Sequence, residues 1–198
     1  MTETPDYRLQ LFLAYEQAVT LADSINSSQL HDPTPCSAMD VSGLLDHLVF
    51  AARRATGLGR GEAPSGDDAN IPHIELDDIP SALRVAASES KESWSDDASL
   101  TRTITMPWGE TYSGAQLVGM YLVEIATHSW DLASATGTSD LLDEQLGADT
   151  LACAQATIRP DYRNAEGNPF GPQVEPPAEA TSWERLAAFM GRTPRSFP

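Results

Sequence analysis

Apolar positions recur at helical spacing through most of the chain. Leu9, Phe12, Leu13, Ala18, Leu21, Ala22 and Ile25 predict a first helix from just after Thr4-Pro5 to about Ser27, with Pro5 in its first turn. "HDPTPCSAMD" breaks the pattern with two prolines. Asp40 is then placed to cap a second helix, 41 to about 58, whose apolar side carries Val41, Leu44, Leu45, Leu48, Val49 and Ala52. Residues 59–79 are rich in Gly, Pro and Asp and predict a loop. Pro80 opens a third, more polar helix in "SALRVAASESKESW". The alternation in "LTRTITMPWGETYSG" predicts a short β-hairpin. Ser113 caps a helix over 114–136, and Gly137 ends it in a left-handed turn. "SDLLDEQLGADTLACAQATI" reads as a fifth helix. Residues 159–180 are irregular, yet Phe170 and Val174 make them apolar enough to pack on the rest. "TSWERLAAFMGRTP" is a last short helix between a Thr181 cap and a Gly191 terminator. The pattern predicts an all-α fold: a four-helix bundle, a short β-hairpin between helices 3 and 4, and a C-terminal extension with a short helix. Residues 1–198 are expected to form one domain.

One helix carries polar groups where the pattern calls for a core. In "GMYLVEIATHSWDLASATG", residues 119–137, Glu124 and His128 stand four apart and Asp131 follows three later. Residues three and four apart share a helix face, so these three form one row among Val118, Leu122, Ile125 and Leu132. An ionised Glu124 on such a face is costly unless it is paired or bound to a metal. A carboxylate and an imidazole one turn apart can chelate one divalent ion, and His47, flanked by Leu45 and Leu48 on the second helix, is the best third ligand. Three protein ligands leave an open position, the pattern of a catalytic zinc site. Asp131 is better placed to orient an imidazole or accept a proton than to ligate. The competing reading is a core histidine hydrogen-bonded to Glu124 with no metal.

Charge narrows the partners. Twelve Lys plus Arg face twenty-nine Asp plus Glu, a formal net charge of -17. Such a surface repels phosphate backbones and anionic lipid, so neither nucleic acid nor membrane is an expected partner. The two cysteines, Cys36 and Cys153, lie far apart with no CxxC motif and read as free thiols. No apolar run reaches membrane-spanning length and no signal peptide is visible, so the expected location is the cytoplasm.

Three segments carry a family resemblance. "TPCSAMDVSGLLDHLV" (34–49), "MYLVEIATHSWDLASATG" (120–137) and "FGPQVEPPAEATSWERLAAFMGRTP" (170–194) resemble, in order, segments of actinobacterial proteins of the DinB-like superfamily. That group is related to the N-terminal domain of mycothiol-dependent maleylpyruvate isomerase. The resemblance implies a DinB-like metal-binding bundle with a divalent ion held by His47, Glu124 and His128. Zinc is the default, with nickel, iron or manganese also suited to the donors. It also implies a low-molecular-weight thiol, mycothiol or a relative, ionised on the metal. Met39 stands where the group usually has Trp, and Ser129 where Gly is common. The sequence also stops short of the isomerase's additional C-terminal domain, so maleylpyruvate isomerisation itself is not expected.

The leading expectation is a metal-dependent thiol transferase or isomerase acting on a small electrophile, with Asp131 orienting a ligand or accepting a proton. Arg163 and Trp108 are candidate cofactor-binding residues: an arginine can clamp a carboxylate of substrate or thiol, and Trp108 can line a pocket mouth. Arg53, Arg54 and Arg159 share the first possibility. Cys36 is a tempting nucleophile, although a small buried apolar residue is the preferred reading. His31 and His73 lie in loops and are not expected to be ligands. A metal-dependent hydrolase, and a non-catalytic bundle that binds a metal or small ligand, are the alternatives. A homodimer is left open.

Overall fold

The computed structural model describes residues 4–64, 70–158, 163 and 172–194. In chain order the elements are α1 (Arg8–Ser24), α2 (Val41–Arg60), α3 (Ile79–Ser93), α4 (Asp97–Thr101), β1 (Thr103–Thr105), β2 (Thr111–Ser113), α5 (Gly114–Thr136), α6 (Glu144–Thr157) and α7 (Ser182–Phe189). The long helices close a four-membered ring. α1 and α2 each pack against both α3 and α5, and barely touch each other across the diagonal. α6 adds a layer on α5 and α1, and α7 packs on α6 and α5. The fold is the expected helical bundle with a two-stranded antiparallel hairpin, Ile104 opposite Tyr112.

α5 is the most enclosed helix. Leu117, Val118, Leu122, Ile125, Ala126, Leu132 and Ala133 are all fully buried. A helix apolar on every side belongs in the interior. Its start is fixed by a reciprocal cap: Ser113 Oγ accepts from Gln116 N, and Gln116 Oε1 accepts from Ser113 N. Gly137 ends it at φ 72° as predicted. α2 and α5 run in opposite directions. Gly59, near the end of α2, accepts from Arg102 Nη1, and Arg102 O accepts from Gly114 N at the start of α5.

Helix ends and turns differ from the pattern at specific places. α1 starts at Arg8, because Asp6 takes both the Arg8 N–H and its guanidinium; Pro5 lies before the helix. α1 stops at Ser24, because Ile25 is extended and Asn26 caps a separate 3-10 turn, Ser27–Gln29. α2 continues to Arg60. Between α3 and the hairpin lies α4, which the pattern did not predict. Asp96 caps it through Ala98 N. A Cβ at position 114 would sit 2.0 Å from the Ser99 carbonyl oxygen, so α4 packs there only against glycine.

Two anchors hold segments on the bundle. Buried Asp46 of α2 accepts from Ile74 N at 2.9 Å and pairs with His73 Nδ1 at 2.9 Å, tying down the loop before α3. Buried Trp183 of α7 donates from Nε1 to Asp143 O at 2.8 Å. In the extension, Val174 N donates to Ala188 O, joining it to α7; Phe170 lies outside the described residues.

Candidate metal centre

The site is built where α2 and α5 cross. His47 Nε2 lies 2.8 Å from Glu124 Oε1, and His128 Nε2 lies 3.5 Å from the same oxygen. One donor atom from each of His47, Glu124 and His128 falls within 4.8 Å of the others. The two imidazoles meet edge to face, centroids 4.8 Å apart and planes at 78°. Helical spacing alone places Glu124 above His128 on α5. Only the packing of α2 against α5 delivers His47.

The far side of His128 is equally defined. Its Nδ1 lies 3.0 Å from Asp131 Oδ2. Asp131 is fully buried, and Arg192 holds it by two bonds: Nε to Oδ1 at 3.2 Å and Nη2 to Oδ2 at 2.8 Å. Local backbone geometry aims that arginine. Gly191 has φ 82°; its N–H reaches Ala188 O and the Arg192 N–H reaches Ala187 O, a Schellman turn that ends α7. The turn sends Arg192 back towards α5, where Nη1 also donates to Met190 O.

The charges support one another. Burial works against ionisation of Asp131, but hydrogen bonds from His128 and Arg192 outweigh it and hold the carboxyl below the usual range. Desolvation likewise opposes the Glu124 charge, and the two histidines overcome it, holding this carboxyl low as well. Burial pushes His128 down, but carboxylates at both its nitrogens push it up further, to about 10. The metal-free trio is therefore an ion network with His128 as imidazolium. Glu124 keeps a side-chain exposure of 40%, so the trio opens to solvent at the carboxylate.

This donor set fits a divalent ion. Ionised Asp131 can only accept, so the Nδ1 proton of His128 points at it, and Nε2 is the nitrogen turned to Glu124. An ion replacing the protons between the carboxylate and the two Nε2 atoms would meet two nitrogens and an oxygen, the donors zinc takes.

The other sequence candidates have different surroundings, and Arg159 lies outside the described residues. Trp108 lies in the hairpin turn, 55% exposed and edge-on to Tyr112, and the hairpin joins α5 about 15 Å of helix before Glu124. Arg163 lies over the Phe189 ring, 4.5 Å from its centroid, three residues before Arg192. Arg54 lies over Phe50. His31 pairs with exposed Asp40 and His73 with Asp46, so neither joins the trio. Trp130 is buried in the core.

The model of the mycothiol maleylpyruvate isomerase N-terminal domain matches residues 11–133. The chain belongs to this family. Two uncharacterized proteins of Mycobacterium tuberculosis, from strain CDC 1551 / Oshkosh and strain ATCC 25618 / H37Rv, are each 32% identical over 182 residues, covering 92% of this chain and 95% of theirs. The fold matches crystal structures of the mycothiol-dependent maleylpyruvate isomerase. For a histidine-to-alanine variant the TM-score is 0.58 at 15% identity, and for the other it is 0.55 at 16%. Each match covers 73% of this chain and 66% of the enzyme, just under two thirds of its length.

Within this member of the isomerase N-terminal family, two residues near the site escaped the helical pattern. Arg192 follows the last helix and has no periodic relation to α5; its only sequence signal is the Gly-Arg pair in the C-terminal segment that resembles the group. Cys36 corrects the reading of a small buried residue. It is partly exposed, and its Sγ lies within 4.8 Å of both a His128 ring nitrogen and an Asp131 oxygen. Spacing hid this, because a non-helical turn carries Cys36 to the end of α5. Among the described residues no helix is long and apolar enough to cross a membrane.

Proposed function

We propose that this protein is a metal-dependent enzyme that transfers or isomerises through a low-molecular-weight thiol on a small electrophilic substrate. The observation that carries the proposal is the convergence of His47 Nε2, Glu124 Oε1 and His128 Nε2, with Asp131 on the remote nitrogen of His128. A divalent metal held by these three would supply Lewis acidity, lowering the pKa of a thiol or water beside it. The chain's own residues hold and orient. Asp131 keeps the His128 proton on Nδ1 and so presents Nε2 to the centre. Arg192 keeps Asp131 charged and in place. Glu124 is the most exposed member of the trio. Family membership supports the thiol, since the isomerase it names is mycothiol-dependent.

The proposal keeps Arg163 as a residue for cofactor contact, since it sits on the α7 end that also brings in Arg192. Nothing in the mechanism draws on Trp108. The reading takes 1–198 as one cytoplasmic unit acting on a small molecule, with neither nucleic acid nor lipid as partner, in keeping with its charge.

Elemental analysis of the purified protein tests it, beside a His47→Ala, His128→Ala double variant checked for helicity. Near one equivalent of metal in the wild type, lost in the folded variant, is the expected result. Thiol-dependent turnover of an electrophile then separates transfer from metal-dependent hydrolysis. No metal in either protein, even after reconstitution, overturns the proposal. The trio would then be a hydrogen-bonded ion network in a ligand-binding bundle.

A further inference from the structure

Hydroxyl groups inside these helices have a common outlet. Thr20, Thr56, Ser129, Thr136 and Thr157 each donate to the carbonyl four residues back, at 2.8–3.0 Å. Thr127 of α5 does not. Its Oγ1 has no hydrogen-bond partner, although the residue is only 2% exposed. A threonine in a helix divides between side-chain orientations, one of which gives the bond to the turn before. Thr127 forgoes that bond and leaves its hydroxyl unpaired, which is costly in an interior.

Its place on α5 suggests what the hydroxyl is for. Thr127 comes three residues after Glu124 and four before Asp131, so it shares their face, with Cβ atoms about 5–6 Å from theirs. Glu124 and Asp131 have charged partners within the protein: His47 and His128 for the first, His128 and Arg192 for the second. Thr127 sits between them with nothing to bond. Thr150 makes the contrast. Its Oγ1 is also unpaired and the residue is fully buried, but it lies on α6 and shares its face with Leu146 and Cys153. Cys153 there packs on Gly119 O of α5, five residues before Glu124.

We propose that Thr127 is a ligand-contact residue: its hydroxyl bonds a hydroxyl or amide group carried by the small thiol at the centre, so the site favours such thiols over alkyl thiols of the same size. The contact rests on the metal and thiol reading above. A threonine hydroxyl both donates and accepts, so it can meet either group. Burial keeps bulk water from competing for it. A site that holds an unpaired polar group in this way selects against a ligand that cannot satisfy it.

The test uses cobalt-loaded full-length protein, in which a bound thiolate shows as charge-transfer absorbance. The probes are 2-mercaptoethanol and 1-propanethiol, which match in size and differ by a hydroxyl. Thr127→Val keeps the side-chain shape and removes the hydroxyl. It is expected to lower the affinity for 2-mercaptoethanol relative to 1-propanethiol roughly three- to tenfold, with cobalt uptake unchanged. Thr127→Ser should retain the preference, and Thr150→Val should leave it as in the wild type. Urea unfolding of the metal-free valine variants accompanies this, and both are expected to be at least as stable as the wild type. Thr127→Ala repeats the measurement should Thr127→Val not fold. An unchanged preference without the Thr127 hydroxyl, or an equal loss in Thr150→Val, overturns the contact and leaves the metal reading standing. Cobalt uptake with no thiolate absorbance in the wild type overturns the contact and the thiol together. No cobalt uptake in the wild type overturns the metal reading and this contact with it.

Discussion

Arg192 grips both carboxylate oxygens of Asp131, at 3.2 and 2.8 Å, inside a bundle where Asp131 has no exposed surface. The pair joins the end of the last short helix to the central helix. Through Asp131 it also reaches His128 and the candidate metal position.

Replacing Asp131 with Asn exchanges an acceptor for a side chain that can donate to Nδ1. The imidazole can then keep its proton on Nε2, where a metal needs the lone pair. Zinc affinity is expected to fall roughly ten- to a hundredfold in Asp131→Asn. Competition titration against a zinc dye checks it. Unchanged affinity would remove Asp131 from the site.

Breaking the same pair from the other side is a stability experiment. Arg192→Met leaves Asp131 buried with His128 as its only remaining charged partner. A loss of about 3 kcal/mol is expected in urea unfolding of the metal-free protein. A loss below about 1 kcal/mol would mean that water or a rearranged side chain replaces the guanidinium.

Gly191 turns the chain at φ 82°, a conformation that L side chains rarely adopt. Gly191→Ala is expected to cost about 1–2 kcal/mol. Because the turn aims Arg192, zinc affinity should also drop. Gly137→Ala, at φ 72° with nothing within 4 Å of the added Cβ, is the control. It should cost similar stability and leave zinc binding alone.

The metal-free protein should show a pH signature. His128 is raised from 6.5 to about 10, so its contribution is complete below about 6.5 and is lost as pH rises towards 10. Glu124 and Asp131 are held low, so theirs is present above ordinary carboxylate values and is lost as pH falls. With metal chelated, the urea midpoint should fall from about pH 6 to about pH 9. That fall should shrink in His128→Gln. Zinc inverts the dependence, because it must displace the imidazolium proton: affinity should rise over the same range, with proton release detectable by calorimetry in buffers of different ionisation enthalpy.

Much of this protein is local in origin, and what is local could be read from the chain. The caps at Asp40, Ser113 and Thr181, the stop at Gly137, the hairpin and the row of Glu124, His128 and Asp131 depend on residues within a few positions of one another. Helical geometry relates such residues directly. The short helix after Asp96 is also local, but five residues give too little periodicity to reveal it. His47 was inferred from its apolar flanks and from family resemblance, and its 2.8 Å approach to Glu124 exists only because α2 packs on α5. Arg192 and Cys36 depend on tertiary structure entirely. One reaches Asp131 across 61 positions of chain through a glycine turn, and the other reaches the same carboxylate from a turn before α2. Helical periodicity fixes which residues share a face, but the packing of one helix on another decides which faces meet.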